Sequence, residues 1–518
     1  MSRKLRLIAL LTALICTVTA FAGCGKKTTK TSGDDANTIT YWVNLSGNES
    51  QTTTSRSETP FGKMLMEKTG VNIEYQHPAR GQATEKFNIM LATGNLPDII
   101  EFTWEKTYPG GANKALSDGL IQEINLEKEA PNLYAYIQKN PEMEKFIKTD
   151  DEKFYGFPFI RGDDFLLTSA GLIVRQDWLD ELGLEEPETI DDWTKMLRAF
   201  KEKKGARAPL SLNLNQIVTF GPFVGAYDTF ANLYVRDGKV VYGAAEDSFK
   251  DFLVQMNKWF EEGLIDPDFA SVDSATMQSN ILNGVSGATW GSCGSGIGKW
   301  MAAATDDKFN LLGAKYPVMN KGEKAPFGNY EYPVTGAATA VITKSAKNKE
   351  LCLKVLDYAY SEEGSMLFNF GIEGESYEMK DGYPTYTQEV TANPDGLSMA
   401  VSLARYALSQ DVGPFVQDRR YMEQYANLPQ QQKALENWQY TDMKNHLMPN
   451  ISLTTEQQNE VATLVENINT YRSEMMAKFI MGVEPIENFD EYKKQLNKRG
   501  LKKYLEYQQQ AYDRFMSR

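Results

Sequence analysis

From residue 38 onward, short runs of β-branched and aromatic residues alternate with helical patterns, an alternation that admits α/β folds and excludes most others. Thr38-Ile39-Thr40-Tyr41-Trp42-Val43 suits a strand. After a polar loop from Asn44 to Pro60, Phe61, Met64, Leu65 and Lys68 fall at helical spacing and stop before Gly70. Val71-Asn72-Ile73-Glu74-Tyr75 alternates as a second strand, Ala83 to Leu91 reads as a helix, and Leu96-Pro97-Asp98-Ile99-Ile100 as a third strand. Successive units of this kind predict a largely parallel sheet. With 518 residues, 42% of them hydrophobic, the chain has material for two or three such bodies.

The N-terminus carries a separate message. Arg3, Lys4 and Arg6 precede Leu7 to Val18, an apolar stretch too short for a comfortable membrane span, which is the pattern of a secretory signal. It ends in Phe21-Ala22-Gly23-Cys24, and small residues before a cysteine resemble the lipobox of bacterial lipoproteins, which implies cleavage after residue 23 and lipidation of Cys24. Residues 1–23 are therefore expected to be a signal peptide, and residues 24–37 a lipidated cysteine with a flexible, polar tether. No later run of 18 or more apolar residues occurs. The expected location is the extracytoplasmic face of the cell membrane, with membrane contact through the lipid anchor only.

Acidic residues outnumber basic ones 69 to 55, a formal charge of −14 that becomes −17 once the three signal cations are removed. No global positive field gathers phosphates, so nucleic acid is not an expected partner. His77 and His446 are the only histidines, which leaves little basis for a triad or a zinc site, and no cofactor or metal is expected. With Cys16 in the signal and Cys24 lipidated, Cys293 and Cys352 remain, read as two separate buried thiols in preference to a disulfide.

Thr40-Tyr41-Trp42, Ala92-Thr93-Gly94-Asn95-Leu96-Pro97-Asp98-Ile99-Ile100 and Tyr155-Gly156-Phe157-Pro158 occur in an order that resembles the family 1 extracellular solute-binding proteins of ABC importers. The longest similar block runs from Gly171 through Asp177-Trp178-Leu179 to Pro187-Glu188-Thr189-Ile190-Asp191-Asp192-Trp193. Thr189 with Asp192 three residues later also signals a helix start, ahead of Trp193, Met196, Leu197 and Phe200 at helical spacing. Gly263 to Phe269, Lys349 to Gly364, and the C-terminal part from Leu453 to Asp513 extend the resemblance, there toward the large carbohydrate-binding lipoprotein branch.

The resemblance implies an α/β, two-lobed periplasmic-binding-protein-like fold with a hinge, an interlobe ligand cleft and extra C-terminal helices. Carried over, residues 38–164 plus 315–370 form lobe 1, and 165–314 plus 371–518 form lobe 2. Cys293 and Cys352 then fall on opposite lobes. Members of the branch often carry a calcium loop after the helix that follows the Pro-Glu-Thr segment. Here that place reads Lys201-Glu202-Lys203-Lys204-Gly205-Ala206-Arg207-Ala208-Pro209, whose four cations argue against a bound metal.

Sugars expose hydroxyls at their edges and C–H groups on their faces, so a sugar site needs aromatic platforms beside carboxylates, amides and guanidiniums. Trp178, Trp193 and Trp259 lie in amphipathic helix patterns and read as core. Trp290, after Gly284-Val285-Ser286-Gly287-Ala288, matches the position where the family places a cleft aromatic, and is the first choice for stacking. Glu101 and Trp104 follow the third strand, and Trp42 and Asn44 the first, at ends where α/β sheets expose ligand-contacting loops; each reads equally as binding or packing. Tyr425 falls where the family often has a stacking aromatic, with Glu423 beside it as a hydroxyl acceptor or a solvated charge. Arg161, near Asp163 and Asp164, reads as a ligand contact or a hinge ion pair. Tyr227 and Tyr330 lie on loops able to reach a ligand.

The expected function is capture of an oligosaccharide, by preference a neutral one, by a monomer that delivers it to the permease subunits of an ABC transporter without chemistry. Two alternatives stay open: a surface-anchored glycoside hydrolase, which needs only two carboxylates flanking the scissile bond, and the same fold holding a non-sugar solute such as a peptide.

Overall fold

The computed structural model describes residues 36–518; the signal peptide, Cys24 and most of the tether lie outside the described residues. Its strands are β1 (Thr38–Trp42), β2 (Asn72–Gln76), β3 (Ile99–Phe102), β4 (Phe157–Arg161), β5 (Ala170–Arg175), β6 (Leu210–Ser211), β7 (Leu233–Arg236), β8 (Lys239–Tyr242), β9 (Ala288–Ser292), β10 (Leu311–Ala314), β11 (Val334–Ile342), β12 (Tyr377–Lys380), β13 (Tyr383–Tyr386) and β14 (Val416–Gln417). Six build one sheet in the order β14-β4-β11-β3-β1-β2, four build a second in the order β10-β5-β9-β6, and β7-β8 and β12-β13 are hairpins.

Both main sheets are mixed, which corrects the expectation of a largely parallel one. β1 runs parallel to β3, with Tyr41 opposite Ile99, and β14 runs parallel to β4. β11 is antiparallel to both β3 and β4. The reason lies in how the chain re-enters this sheet. The Arg161 amide at the end of β4 bonds to the Pro333 carbonyl just before β11 at 2.8 Å, so the returning strand starts where β4 stops and has to run back along it. In the second sheet β5 is antiparallel to β10 and β9, and only β6 and β9 are parallel.

Each sheet has its own core. Ile39, Phe61, Leu65, Phe157 and Leu356 pack one face of the six-stranded sheet, while Trp42, Phe87, Phe102 and Trp104 pack the other. The second core holds Leu172, Trp193, Phe200, Trp259 and Trp438. Gly171 is required there: a β-carbon at that position would lie 2.4 Å from the Trp438 ring, whose indole N–H donates to the Leu172 carbonyl at 3.1 Å. Trp178, Trp193 and Trp259 are buried as their helical spacing implies. Cys352 belongs to the first core and Cys293 to the second; both are free, and burial pushes each thiol up to about 12.

Two segments depart from the expected lobe assignment. Tyr316, Val318 and Ala325 pack in the second core, and the Ile190 amide bonds to Val318 O at 3.1 Å, so the chain returns to the first sheet nearer to 330 than to 315. Leu408 and Phe415 insert into the first core and β14 extends the first sheet, although 371–518 was expected to lie wholly with the second lobe. The C-terminal helices are Thr455–Ile480, which packs on Asp247–Glu261, then Phe489–Lys498 and Leu501–Met516.

Candidate ligand-binding cleft

β9 projects Trp290 half-buried from the second sheet, paired across the ladder with Leu172. Phe220 stacks on it nearly parallel, with centroids 4.4 Å apart and planes at 6°. The turn Gln216–Phe220 is ended by Gly221 at φ 53°, and Gln216 Nε2 donates to the Trp290 carbonyl at 3.4 Å. The stack leaves the indole one covered face and a fixed orientation. Trp290 lines a pocket of about 430 Å³ with Gln216, Met277, Ser292, Lys299 and Trp300. No carboxylate is among the residues lining that pocket.

The turn Cys293–Gly298 follows β9 directly and brings a second ring close. The half-buried Tyr425 ring lies on Gly294, where a β-carbon would come within 2.6 Å of it, and packs against Tyr421 at 5.8 Å. Gln431 Nε2 holds this turn by donating to the Cys293 carbonyl at 3.0 Å. Glu423 accepts from the Tyr383 hydroxyl at 2.8 Å and from Arg419 Nε at 2.7 Å. Arg419 also faces Asp163 at 3.5 Å and lies over the Phe165 ring. Arg161 pairs with Glu331, donates to Gln417 Oε1 at 3.3 Å and lies over Phe159. Tyr425 thus reaches the turn that follows the Trp290 strand, and Glu423 lies on the same helix as Tyr425, while Arg161 sits in its own cluster with Glu331, Gln417 and Phe159. Asp163 and Asp164 are held by Arg419 and Lys444 and not by Arg161.

The remaining expected residues do not join them. Trp42 and Trp104 are buried in the first-lobe aromatic cluster, edge-on to Phe102 and Phe87 respectively, so neither offers a face to a ligand. Glu101 is buried and accepts the Tyr41 hydroxyl at 2.8 Å. At these two strand ends Trp42, Glu101 and Trp104 are buried, so the expected exposure fails for those three side chains. Asn44 is exposed. Tyr227 packs edge-on against Phe252, and Tyr330 joins the small Tyr234, Phe327 and Met443 cluster, next to Glu331. Sequence reasoning missed Phe220 and Gln417; the Gly221-Pro222 break after Phe220 was the one available signal for the former.

Beneath the end of β1 lies a buried ionic cluster. Arg56 binds Glu49 through Nε at 2.8 Å and a second nitrogen at 3.0 Å. His77 Nε2 accepts the Arg56 amide at 3.1 Å, which leaves Nδ1–H to donate to the Val43 carbonyl at 2.8 Å, and desolvation lowers its pKa; the imidazole is neutral. Burial pushes Glu101 up to about 7 despite the nearby Arg56.

Among the described residues no group of three or more His, Cys, Asp or Glu side chains is placed to hold a metal ion. The 201–209 loop does not fit calcium: Lys201 Nζ donates to the Glu262 carbonyl, Arg198 binds the Glu262 carboxylate at 2.6 and 2.8 Å, and Lys204 pairs with Glu181.

The chain is similar to lipoprotein LipO of Bacillus subtilis, with 27% identity over 78% of this chain and 80% of LipO. It is 26% identical to the fructooligosaccharide ABC transporter substrate-binding protein FusA of Streptococcus pneumoniae, over 97% of each chain. The crystal structure of FusA in complex with kestose superposes with a TM-score of 0.72 at 22% identity, covering 93% of this chain and 99% of FusA. The alginate-binding protein AlgQ2, solved without calcium ion, superposes equally well, at 0.72 and 24% identity over 93% of this chain and 99% of AlgQ2. These neighbours share the two-lobed architecture built here from two sheets and two cores. A model of the bacterial extracellular solute-binding protein family matches residues 52–366, more than half of the chain, and the chain belongs to that family.

Proposed function

We propose that this protein captures a neutral oligosaccharide between its lobes and delivers it to the permease of an ABC transporter, held at the outer face of the cell membrane by lipid on Cys24. The observation that carries this is Trp290, held by its stack with Phe220, in the lining of a pocket it shares with Gln216, Gln278, Ser292 and Lys299, since a fixed aromatic platform beside amide, hydroxyl and ammonium groups suits the C–H face and edge hydroxyls of a sugar ring. The similarity to FusA, a fructooligosaccharide-binding protein, supports the same ligand class. Neutrality is supported by the scarcity of cations: Lys299 is the one basic residue lining the Trp290 pocket, and Arg161 and Arg419 are engaged by Glu331, Asp163 and Glu423. Binding proceeds without bond cleavage, in keeping with a pocket whose lining lacks the two carboxylates a glycosidase needs. Ligand touching both lobes favours the closed state by its differential affinity.

The test is calorimetric titration of residues 25–518 with kestose, raffinose, stachyose and a galacturonate trisaccharide, each recovered afterwards to check for cleavage. Micromolar or tighter binding of an intact neutral sugar is expected. Trp290→Ala should weaken it by on the order of 1–2 kcal/mol with the fold retained; cleavage of the sugar, or an equal affinity in the folded variant, would count against the proposal.

A further inference from the structure

The pocket beside Trp290 takes its walls from the helix Ser274–Leu282, the strand β9 and the helix Lys299–Ala303, which follows the Cys293–Gly298 turn. Most of its polar groups are already in use. Gln216 is committed at both ends, its Oε1 accepting the Asn213 amide at 3.0 Å and its Nε2 donating to the Trp290 carbonyl at 3.4 Å. The Ser292 and Ser295 hydroxyls bond to each other at 2.6 Å. Lys299 differs: it is exposed, it lines the pocket, and among the described residues no carboxylate pairs with its ammonium and no oxygen accepts from it. By contrast Lys201, Lys204, Arg419 and Lys444 all have oxygen partners. The backbone that carries Lys299 is fixed on both sides. Gln431 holds the preceding turn through the Cys293 carbonyl, and a β-carbon on Gly298 would come within 2.7 Å of the same Gln431 amide. The next residue, Trp300, is buried, and a β-carbon on Gly291 would lie 3.0 Å from its ring.

We propose that Lys299 is a ligand-contacting, specificity-determining residue of this pocket, its ammonium donating to an oxygen at the edge of the sugar ring that stacks on Trp290; this rests on the oligosaccharide function proposed above. An ammonium has three donors and no acceptor, and the lining holds no carboxylate to neutralise it, so the ligand group that meets it has to offer a lone pair. Gln278, on the opposite wall, both donates and accepts and takes a hydroxyl in either sense. Lys299 is the stricter reader: a methylene at this edge leaves its donors unmet, and a protonated amino sugar places like charge against it. A neutral hydroxyl or ring oxygen suffices, so one lysine discriminates among uncharged sugars without requiring an acidic one.

The experiment titrates wild type, Lys299→Met and Lys299→Arg with kestose, raffinose, stachyose and a galacturonate trisaccharide. For the neutral sugar that binds wild type most tightly, K299M is expected to lose about tenfold or more in affinity with its urea midpoint unchanged, and K299R, which keeps a charged donor, to lose less. Because the loss falls on the preferred sugar, the affinities of the neutral sugars should converge in K299M. In wild type, saturating sugar should slow acetylation of Lys299 by acetic anhydride several-fold, read by peptide mass spectrometry, while that of the exposed Lys203 stays unchanged. Equal affinity in folded K299M, or acetylation of Lys299 that sugar does not slow, would overturn the proposal. Should K299M fail to fold, the acetylation of wild type decides alone. Binding of the galacturonate alone, lost in K299M, would overturn the choice of a neutral oxygen in favour of a carboxylate. Absence of any sugar binding by wild type would remove the oligosaccharide function itself, an outcome distinct from sugar binding that ignores Lys299.

Discussion

Glu101 lies where a carboxylate is hard to ionise. It is 4% exposed, it accepts the Tyr41 hydroxyl, and the neighbouring Arg56 guanidinium is already committed to Glu49. Its folded pKa of about 7 lies above the usual carboxylate value, so between roughly pH 4.5 and 7 the native state holds more protons than the unfolded chain. The stabilising influence of this group is then fully present below the unfolded pKa and is lost as pH rises through 7. Glu101→Gln removes that dependence: in urea denaturation the variant should gain on the order of 1–3 kcal/mol over wild type at pH 8 and little at pH 4.5. A pH-independent offset between the two proteins would contradict the assignment. The same residue shows why the cleft was only partly legible in the sequence. Tyr41 and Val43 face one core and Trp42 the other, so strand alternation separates two buried faces and never marks an exposed one. Trp42, Trp104 and Trp290 look alike by composition, and what sets Trp290 apart is a stack with Phe220, 70 positions away, which spacing does not encode.

At the level of elements, local signals were the most readable. The helix Ile190–Lys204 starts at the predicted capping box: Thr189 Oγ1 accepts the Asp192 amide at 3.1 Å, and Asp192 Oδ2 accepts the Thr189 amide at 3.1 Å. Trp193, Met196, Leu197 and Phe200 are buried along its inner face, and Gly205 at φ 70° ends it. Thr189→Ala leaves the Asp192 amide without its side-chain acceptor, and its expected cost is about 1 kcal/mol, read as a lower urea midpoint with an unchanged m-value. A loss near zero would mean that burial of the apolar face alone holds the first turn. Strand direction was not readable in the same way, because it depends on where the chain crosses: β11 is antiparallel to β4 owing to the Arg161–Pro333 contact at the crossover, 172 residues apart in sequence. Val416–Gln417 is too short to carry a pattern at all, and it becomes β14 only because β4 presents an open edge.

Across the whole molecule, the C-terminal helix Leu501–Met516 spans parts that belong to different cores. Near its middle, Gln509 accepts the Val240 amide at 2.8 Å and donates to the Gly238 carbonyl at 3.0 Å, which fastens it to the β7-β8 hairpin beside the second core. At its end, Arg514 and Arg518 both bind Asp150, at 3.0 and 3.1 Å through Nε, and Phe515 packs on Phe146, which lies against the first core. Asp150 therefore joins the two bodies through a pair of guanidiniums, of which that of Arg518 is 5% exposed. Any relative motion of the lobes has to stretch or carry this connection. Asp150→Asn removes the negative charge that both arginines share and leaves a buried cation without its counterion, at an expected cost on the order of 2–3 kcal/mol. If the connection also restrains the lobes, the unliganded variant will show a larger radius of gyration in solution scattering than wild type, and saturating sugar will bring the two to the same value. An equal radius in the unliganded proteins, with the stability loss intact, would assign Asp150 to holding the helix in place and leave closure to the seam around Arg161.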